Sequence, residues 1–549
     1  MLRPRLPKSG KENMKNINLH IIQKLSKNII RFSLVGLSLT CVFGMEEPHL
    51  RERVAQIKKA LDTKIELPEL DSEISDELAF SPFDLSLEEA IEYAMSNNLS
   101  FKNSFALLEI ASRGVNSIKA GLYEPSLQFG YSKRATNNPA QGFIPQFTSQ
   151  SEGGSIDYIQ QLSDGTNLSL SYNSSNSSSS LRDQLNNSGL QLQIRRALFG
   201  KSNTFYASES KLRNSRLDKK IAYFEYLDAY QALVLKVTEA YLNAVKAQRQ
   251  IAVSQSVLSS RQELLDLTKV KFNLGVSTKL DVLRVEVQVA GEEEALIKAR
   301  NTLENRLDSL LNILNYDYPA GQVKVSFDEA HELQSLDYDS NVNSNLERAM
   351  TQRYDLRVLK CKLDQQKNSL RNAKEQVKNK VQFNGGIRRH ATDDAFPRSQ
   401  DFSDRNWSVG LSYTQPLGNT KNRENLLSQR VRMNNSKRNL EELKLKVGLE
   451  VRNAQRSIVA TRERIKVLEK NLDRAKENLK LAQLSYEKGI KSSIEVLDAQ
   501  DDLQEVNKNY INTILDLKIA EFRLLRAMGT IGIPDLVLEK ADQWLAVNK

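Results

Sequence analysis

Cysteine is nearly missing from this chain, whose 549 residues hold only Cys41 and Cys361. With so few thiols no disulfide framework can hold the fold, so stability has to come from packing and association. Histidine is equally sparse: His20, His49, His331 and His390 are scattered, and no Cys, His or carboxylate spacing reads as a metal site. No Gly-rich phosphate loop, nucleophile elbow or kinase signature occurs, so nothing asks for catalysis or a cofactor, and the chain reads as no enzyme. Aromatics make up only 7%, and the 12 prolines and 23 glycines leave long stretches with neither, which favours very long helices over short alternating elements. Beyond residue 44 no hydrophobic run reaches membrane-spanning length.

The net charge of +10 suggests nucleic acid until it is divided along the chain. Residues 1–44 carry eight Lys or Arg against one acid, so the remainder is only +3, too little for a nucleic-acid surface. That first segment reads as a secretory signal: a basic region ends at Arg31 and an apolar run follows from Phe32 to Gly44. Thirteen residues suit a signal core and cannot cross a bilayer as a helix. Cleavage before Met45 and lipidation at Cys41 both remain open, with Leu39 one position off for a lipoprotein signal. Residues 45–84 form a mixed segment, acidic toward its end, whose role the sequence does not define.

The most informative feature is an internal duplication. Phe272-Asn-Leu-Gly275-Val-Ser-Thr-Lys-Leu280-Asp281-Val282-Leu283 is matched by Tyr486-Glu-Lys-Gly489-Ile-Lys-Ser-Ser-Ile494-Glu495-Val496-Leu497, 214 residues later. Each copy reads as a helix of about 35 residues (Leu85–Gly121, Leu346–Asn379), alternating segments, a very long helix, a glycine turn and a returning helix. Copy one spans 85–314, a connector 315–342, copy two 343–529, and a tail 530–549. Ile465, Leu468, Leu472, Ala475, Leu479, Ala482 and Tyr486 are spaced three and four apart, and Ile251, Leu258, Leu265 and Phe272 stand at seven-residue steps. A 3.5-residue period makes a narrow apolar seam, the mark of coiled-coil packing.

Between the helices the period falls to two. Trp407, Val409, Leu411 and Tyr413 alternate with small or polar residues, as Val381, Phe383 and Ile387 do with Gln382, Asn384 and Arg388, and Leu190, Leu192 and Ile194 with Gln191, Gln193 and Arg195; Leu127, Phe129 and Tyr131 stand at the same spacing. This suits an ordinary antiparallel sheet or a barrel with lipid outside and water within. A further hairpin, Ile156–Leu162 with Asn167–Tyr172, turns on Asp164-Gly165. Whether it joins a barrel wall is open, and the Ser/Asn-rich run 173–189 behind it reads as an exposed loop.

A signal peptide, two helix–strand–long-helix units and glycine-centred hairpin tips resemble the TolC family of outer-membrane efflux proteins over nearly all of residues 85–529. The sharpest motifs are Leu274-Gly275-Val276 through Leu283 and Gly489 through Gln500, with Gln415-Pro416-Leu417 as a strand-to-helix corner. The corresponding corner Arg196-Ala197-Leu198-Phe199-Gly200 has Ala where the family usually has Pro.

The resemblance implies a mainly α chain with a membrane β-barrel: a homotrimer, about four strands per chain in a twelve-stranded barrel, and coiled-coil hairpins forming a periplasmic tunnel. It implies a passive duct of a tripartite efflux pump or type I secretion system in the outer membrane of a Gram-negative-type cell. An adaptor (membrane fusion) protein would open it and link it to an inner-membrane pump. Glu495 and Asp498, three apart on one helix face, correspond to the acids ringing the family's periplasmic aperture. The alternative, two solvated acids on a helix face, is the weaker reading. Asp281, Tyr486 and Lys491 correspond to a gate latch, with Lys where Arg is common and Leu280 where a polar partner would help. Leu274, Gly275, Val276, Gly489 and Ile490 correspond to tips that meet the adaptor. A periplasmic adaptor would carry a single helical hairpin between β domains, and a coiled-coil scaffold would lack the strands. The paired tips and paired strand blocks favour the duct over both.

Overall fold

The computed structural model describes residues 84–549 apart from 141, 144–145, 181, 200–202, 317–322, 328–340, 397 and 547–549. All described residues belong to one unit of the chain, Ser81–Lys549. The expected leader, Cys41, the 45–83 segment and most of the connector lie outside them.

A two-residue strand β1 (Asp84–Leu85) leads into α1 (Leu87–Asn97) and α2 (Leu99–Tyr123), then four strands: β2 (Ser126–Asn138), β3 (Phe147–Gln161), β4 (Asn167–Ser179) and β5 (Arg182–Phe199). Two helices follow, α3 (Asn203–Asn273) and α4 (Lys279–Leu314), then β6 (Lys324–Val325), which pairs in parallel with β1. Next come α5 (Val342–Gln352), α6 (Tyr354–Val377), β7 (Lys380–Asp393), β8 (Asp404–Thr414), α7 (Thr420–Glu487), α8 (Ser493–Met528) and α9 (Asp535–Ala546).

Each expected 35-residue helix is broken in two. At Asn98 the backbone turns extended, and its side chain accepts from Phe101 N at 2.9 Å while donating to the Ile313 carbonyl at 2.7 Å. A side chain that can cap the next helix competes with continuing the first one. Arg353 makes the corresponding break between α5 and α6. Its guanidinium bonds Asp355 at 2.6 and 3.1 Å, Glu450 at 2.5 Å and the Ala527 carbonyl at 3.2 Å, so one buried cation ties α6 to α7 and to the end of α8. Burial alone would raise the Asp355 carboxyl, but the Arg353 hydrogen bonds and charge outweigh it and hold it below its ordinary value. Around this point Ala349, Leu356, Leu440, Val447, Val451, Ile458 and Leu524 form a core shared by α5, α6, α7 and α8.

α7 runs 68 residues, about 100 Å at 1.5 Å per residue, and α3 runs 71. They pair with α8 and α4 respectively, while α6 fills against both α3 and α7. The tail holds a helix, α9, docked on α2: Ser112 Oγ donates to the Trp544 carbonyl at 3.1 Å and Arg113 covers the Trp544 ring. Among the described residues no helix is long and apolar enough to cross a membrane.

The larger sheet is antiparallel with six strands in the order β2-β3-β4-β5-β7-β8. The resemblance implies four, and the difference is the hairpin β3–β4, paired along its length to β2 on one side and β5 on the other. The run 173–189 is no loop: Asn173 pairs Gly189 and Ser174 pairs Ser188, extending β4 and β5 to a turn near residue 180. Serine hydroxyls and asparagine amides lying across from one another offset their weak strand preference, as between Ser174 and Ser188.

Register sorts the two faces across the middle of the sheet, with Arg389 and Arg405 on the mainly apolar face and Ile159 on the mainly polar one as exceptions. Leu127, Tyr158, Leu170, Leu192, Ile387 and Trp407 are successive cross-strand partners, one apolar row over all six strands. One residue along, Gln128, Asp157, Ser171, Gln191, Arg388 and Asn406 form the adjacent row on the opposite face, and it is wholly polar. The apolar side chains are bare at the edges, Phe129 at 66% and Trp407 at 75% exposure.

Candidate functional site

The ends of the two long hairpins, α3–α4 and α7–α8, hold nearly every residue singled out in the sequence. Both close the same way. Gly275 has φ 76° and Gly489 φ 73°, in the left-handed region that a Cβ disfavours. Gly275 N donates to the Phe272 carbonyl at 2.9 Å and Val276 N reaches back to Lys271 at 2.9 Å. Gly489 N to Tyr486 at 3.0 Å and Ile490 N to Ser485 at 2.9 Å repeat the arrangement, which satisfies the last carbonyls of each helix. In many such turns the residue after the glycine packs back on its helix. Here Val276 and Ile490 stand free, 69% and 74% exposed, beside Leu274 at 72%, so each tip ends in bare apolar side chains.

The returning helices start on matching caps. Thr278 N and Oγ1 donate to Asp281 at 3.0 and 2.6 Å, and Ser492 N and Oγ donate to Glu495 at 2.7 and 3.3 Å. These are capping boxes, which sequence reading missed and which the spacings Thr278-x-x-Asp281 and Ser492-x-x-Glu495 signal. Hydrogen bonds from the Thr278 side chain and backbone hold the Asp281 carboxyl below its ordinary value, with Ser277 and Arg284 adding to the shift. Glu495 and Asp498 both face solvent one turn apart at the start of α8.

Within the chain Asp281 is engaged by its own cap, and Tyr486 is held by other partners. Its ring is 5% exposed in a cluster with Leu264, Val285, Ala482, Val496 and Leu497. The buried Thr268 hydroxyl donates to the Leu264 carbonyl at 2.7 Å, so at 2.8 Å it accepts from the Tyr486 phenol. Lys271 donates to the Tyr486 carbonyl and lies 3.8 Å over its ring. Lys491 is exposed. Thr268 and Lys271 thus fasten α3 to α7 at the tip, and neither is conspicuous in the sequence.

Higher up lies a second fastening. Arg261 bonds Gln288 through its carbonyl at 3.2 Å and side chain at 3.1 Å, pairs with Asp501 and stands 3.5 Å from Glu292. Gln504 donates to Glu292 at 3.0 Å. Arg261 and Glu292 are both within a few per cent of complete burial, so α3, α4 and α8 meet on a charged layer. Ser254, Arg261 and Thr268, all buried, stand at seven-residue steps and form the true seam of α3. The apolar heptad Ile251, Leu258, Leu265 and Phe272 lies beside it, half-buried or exposed. A register search keyed to apolar residues selects the wrong stripe when the buried one is polar.

The chain thus joins a sheet apolar on one face and polar on the other to two helical hairpins whose longer arms reach about 100 Å. The chain belongs to the family described as outer membrane efflux protein, whose profile matches residues 90–316 and 345–530. It is 23% identical to the outer membrane protein TolC of Vibrio cholerae serotype O1 over 317 residues, 57% of this chain and 71% of that one. To TolC of Escherichia coli K12 it is 24% identical over 352 residues, 60% and 68%. Among solved structures, the CmeC outer membrane channel of Campylobacter jejuni superposes with a TM-score of 0.62 over 83% of this chain and 89% of that one, at 15% identity. The protein is therefore an outer-membrane efflux channel with a periplasmic portion, and its family is one of transport, not of catalysis.

Proposed function

We propose that the chain is the passive exit duct of a tripartite efflux pump or type I secretion system, working as a homotrimer. The observation that carries this is the open sheet with one apolar face. A sheet that meets lipid cannot leave its edge N–H and C=O groups unpaired, so it must close, and six strands on one chain close only with copies of themselves. The long helices, narrow-seamed and charged elsewhere, continue as a periplasmic tunnel. In this reading residues 1–44 are a removed signal and 45–84 a periplasmic segment. Residues 85–314 and 343–529 are two copies of one unit joined by the connector 315–342, and 530–549 is a tail.

The tips are the gate. Three copies of Glu495 and Asp498 ring the aperture and select cations, while Tyr486, Lys491 and Asp281 belong to the latch, with Asp281 and Lys491 meeting a neighbouring copy. Bare apolar Leu274, Val276 and Ile490, presented by Gly275 and Gly489, form the contact for the helical hairpin of a periplasmic adaptor. Docking there shifts the tip helices apart, and an inner-membrane pump behind the adaptor supplies the energy.

Purified protein in a planar bilayer tests this. Wild type should pass a small cation-selective current, and Glu495→Ala/Asp498→Ala should lose most of that selectivity at similar insertion. An unchanged selectivity would remove the aperture assignment and leave the duct. Protein released from outer membranes by alkaline washing would count against the duct itself.

A further inference from the structure

We infer that three copies of this chain close a barrel of eighteen strands, with the hairpin β3–β4 as part of the lipid-facing wall and β8 of each copy paired to β2 of the next. The inference rests on the trimeric reading above and fixes what that reading leaves open, the interface between copies and the size of the wall.

The first ground is continuity. β3 pairs with β2 over thirteen residues and with β4 over thirteen more, without a bulge in either ladder. A hairpin lying outside the wall would leave β2 to pair directly with β5, whereas here two strands stand between them.

The second ground is the face. If the hairpin were a solvent-exposed appendage, nothing would require apolar residues on the side it shares with the wall. Yet Tyr158 and Leu170 sit in one row with Leu127, Leu192, Ile387 and Trp407, and Ile156 and Tyr172 lie between Phe129 and Leu190 in the next. The opposite face of the same hairpin carries Ser155, Asp157, Ser169 and Ser171, which suits water, with Ile159 an apolar exception beside them. Both strands therefore follow the alternation of the other four, whose own departures, Arg389 and Arg405, lie toward one end of β7 and β8.

The third ground is the edges. β2 and β8 are the end strands, 13 and 11 residues long, and exposed almost throughout. An even number of antiparallel strands makes the two edges run in opposite senses, so β8 of one copy meets β2 of the next antiparallel, as a closed wall needs. Phe129 and Tyr131 on one edge and Val409 and Leu411 on the other carry apolar side chains out to the seam. The edge partner of chemistry and length to match is thus a second copy of this chain. Because barrel diameter grows roughly in proportion to strand number, the wall is about one and a half times as wide as one built from four strands per copy.

Electron cryomicroscopy of the full chain in lipid nanodiscs should show threefold symmetry and eighteen wall strands. A threefold barrel of twelve strands with residues 147–179 outside it would overturn the inference and leave the proposed duct standing. No closed ring of copies would overturn both. An independent measurement uses register partners in a background lacking Cys41 and Cys361. Phe129→Cys/Ile156→Cys and Leu170→Cys/Leu192→Cys should each form an intrachain disulfide in isolated outer membranes, with single-cysteine controls unbridged. If either pair inserts and assembles but stays reduced under oxidant, the hairpin is not in the wall.

Discussion

Gly529 shows how a single position can be doubly constrained. Its φ of 71° ends α8 in the left-handed region, and a Cβ there would stand 3.0 Å from the Arg353 Cα and 3.1 Å from its backbone nitrogen. Gly529→Ala should therefore cost about 2 kcal/mol from the strained backbone alone, and displace the Arg353 junction as well. Thermal denaturation should read a clear loss, whereas Gly532→Ala, with open space around it, should be near neutral. Asp281 makes a pH-dependent prediction. Its carboxyl is held below the ordinary value in the folded chain, so its stabilising contribution is complete above the unfolded value and is lost as pH falls through the folded one. Amide protection at the start of α4, corrected for the intrinsic exchange rate at each pH, should fall selectively on acidification, and Asp281→Asn should remove most of that dependence. The Thr278-x-x-Asp281 and Ser492-x-x-Glu495 spacings are the signal by which both caps could have been found. The resemblance drew attention instead to Asp281 and Glu495 as gate residues, and the caps give both acids a structural duty that the gate reading does not exclude.

Among the elements, the glycine-tipped hairpins were fully legible, because a repeated glycine between two heptad helices leaves few alternatives. The seam of α3 was not. Ser254, Arg261 and Thr268 are buried at seven-residue steps, and partners on α4, α7 and α8 make the burial of Arg261 and Thr268 tolerable. Arg261→Met should leave the buried Glu292 without its cation and destabilise the paired hairpins by about 3 kcal/mol, measured as a shift of the denaturation midpoint. The double variant Arg261→Met/Glu292→Met should recover most of the loss, since replacing both charges leaves no unpaired one. The breaks at Asn98 and Arg353 were also hidden, because an apolar period continues across a cap. What stops the helix is a side-chain hydrogen bond at Asn98 and a tertiary ion-pair cluster at Arg353.

At the scale of the whole molecule, alternation in Leu127–Tyr131, Leu190–Ile194, Val381–Ile387 and Trp407–Tyr413 was enough to place four strands, and Asp164-Gly165 enough to place the extra hairpin. That the hairpin belongs in the sheet depended on register, which no local pattern supplies, and the serine-rich arms of β4 and β5 mimic a loop in composition. The central claim is a conduit closed at its helical tips, with Tyr486 held by Thr268 and Lys271 on the neighbouring hairpin. Its most direct test is single-channel conductance of the purified protein in a planar bilayer, comparing wild type with Lys271→Ala/Tyr486→Phe. Wild type should show a small, stable conductance and the variant one several-fold larger, because the tip and not the barrel limits flow. Inserted, folded protein that carries no current in either form would contradict the account.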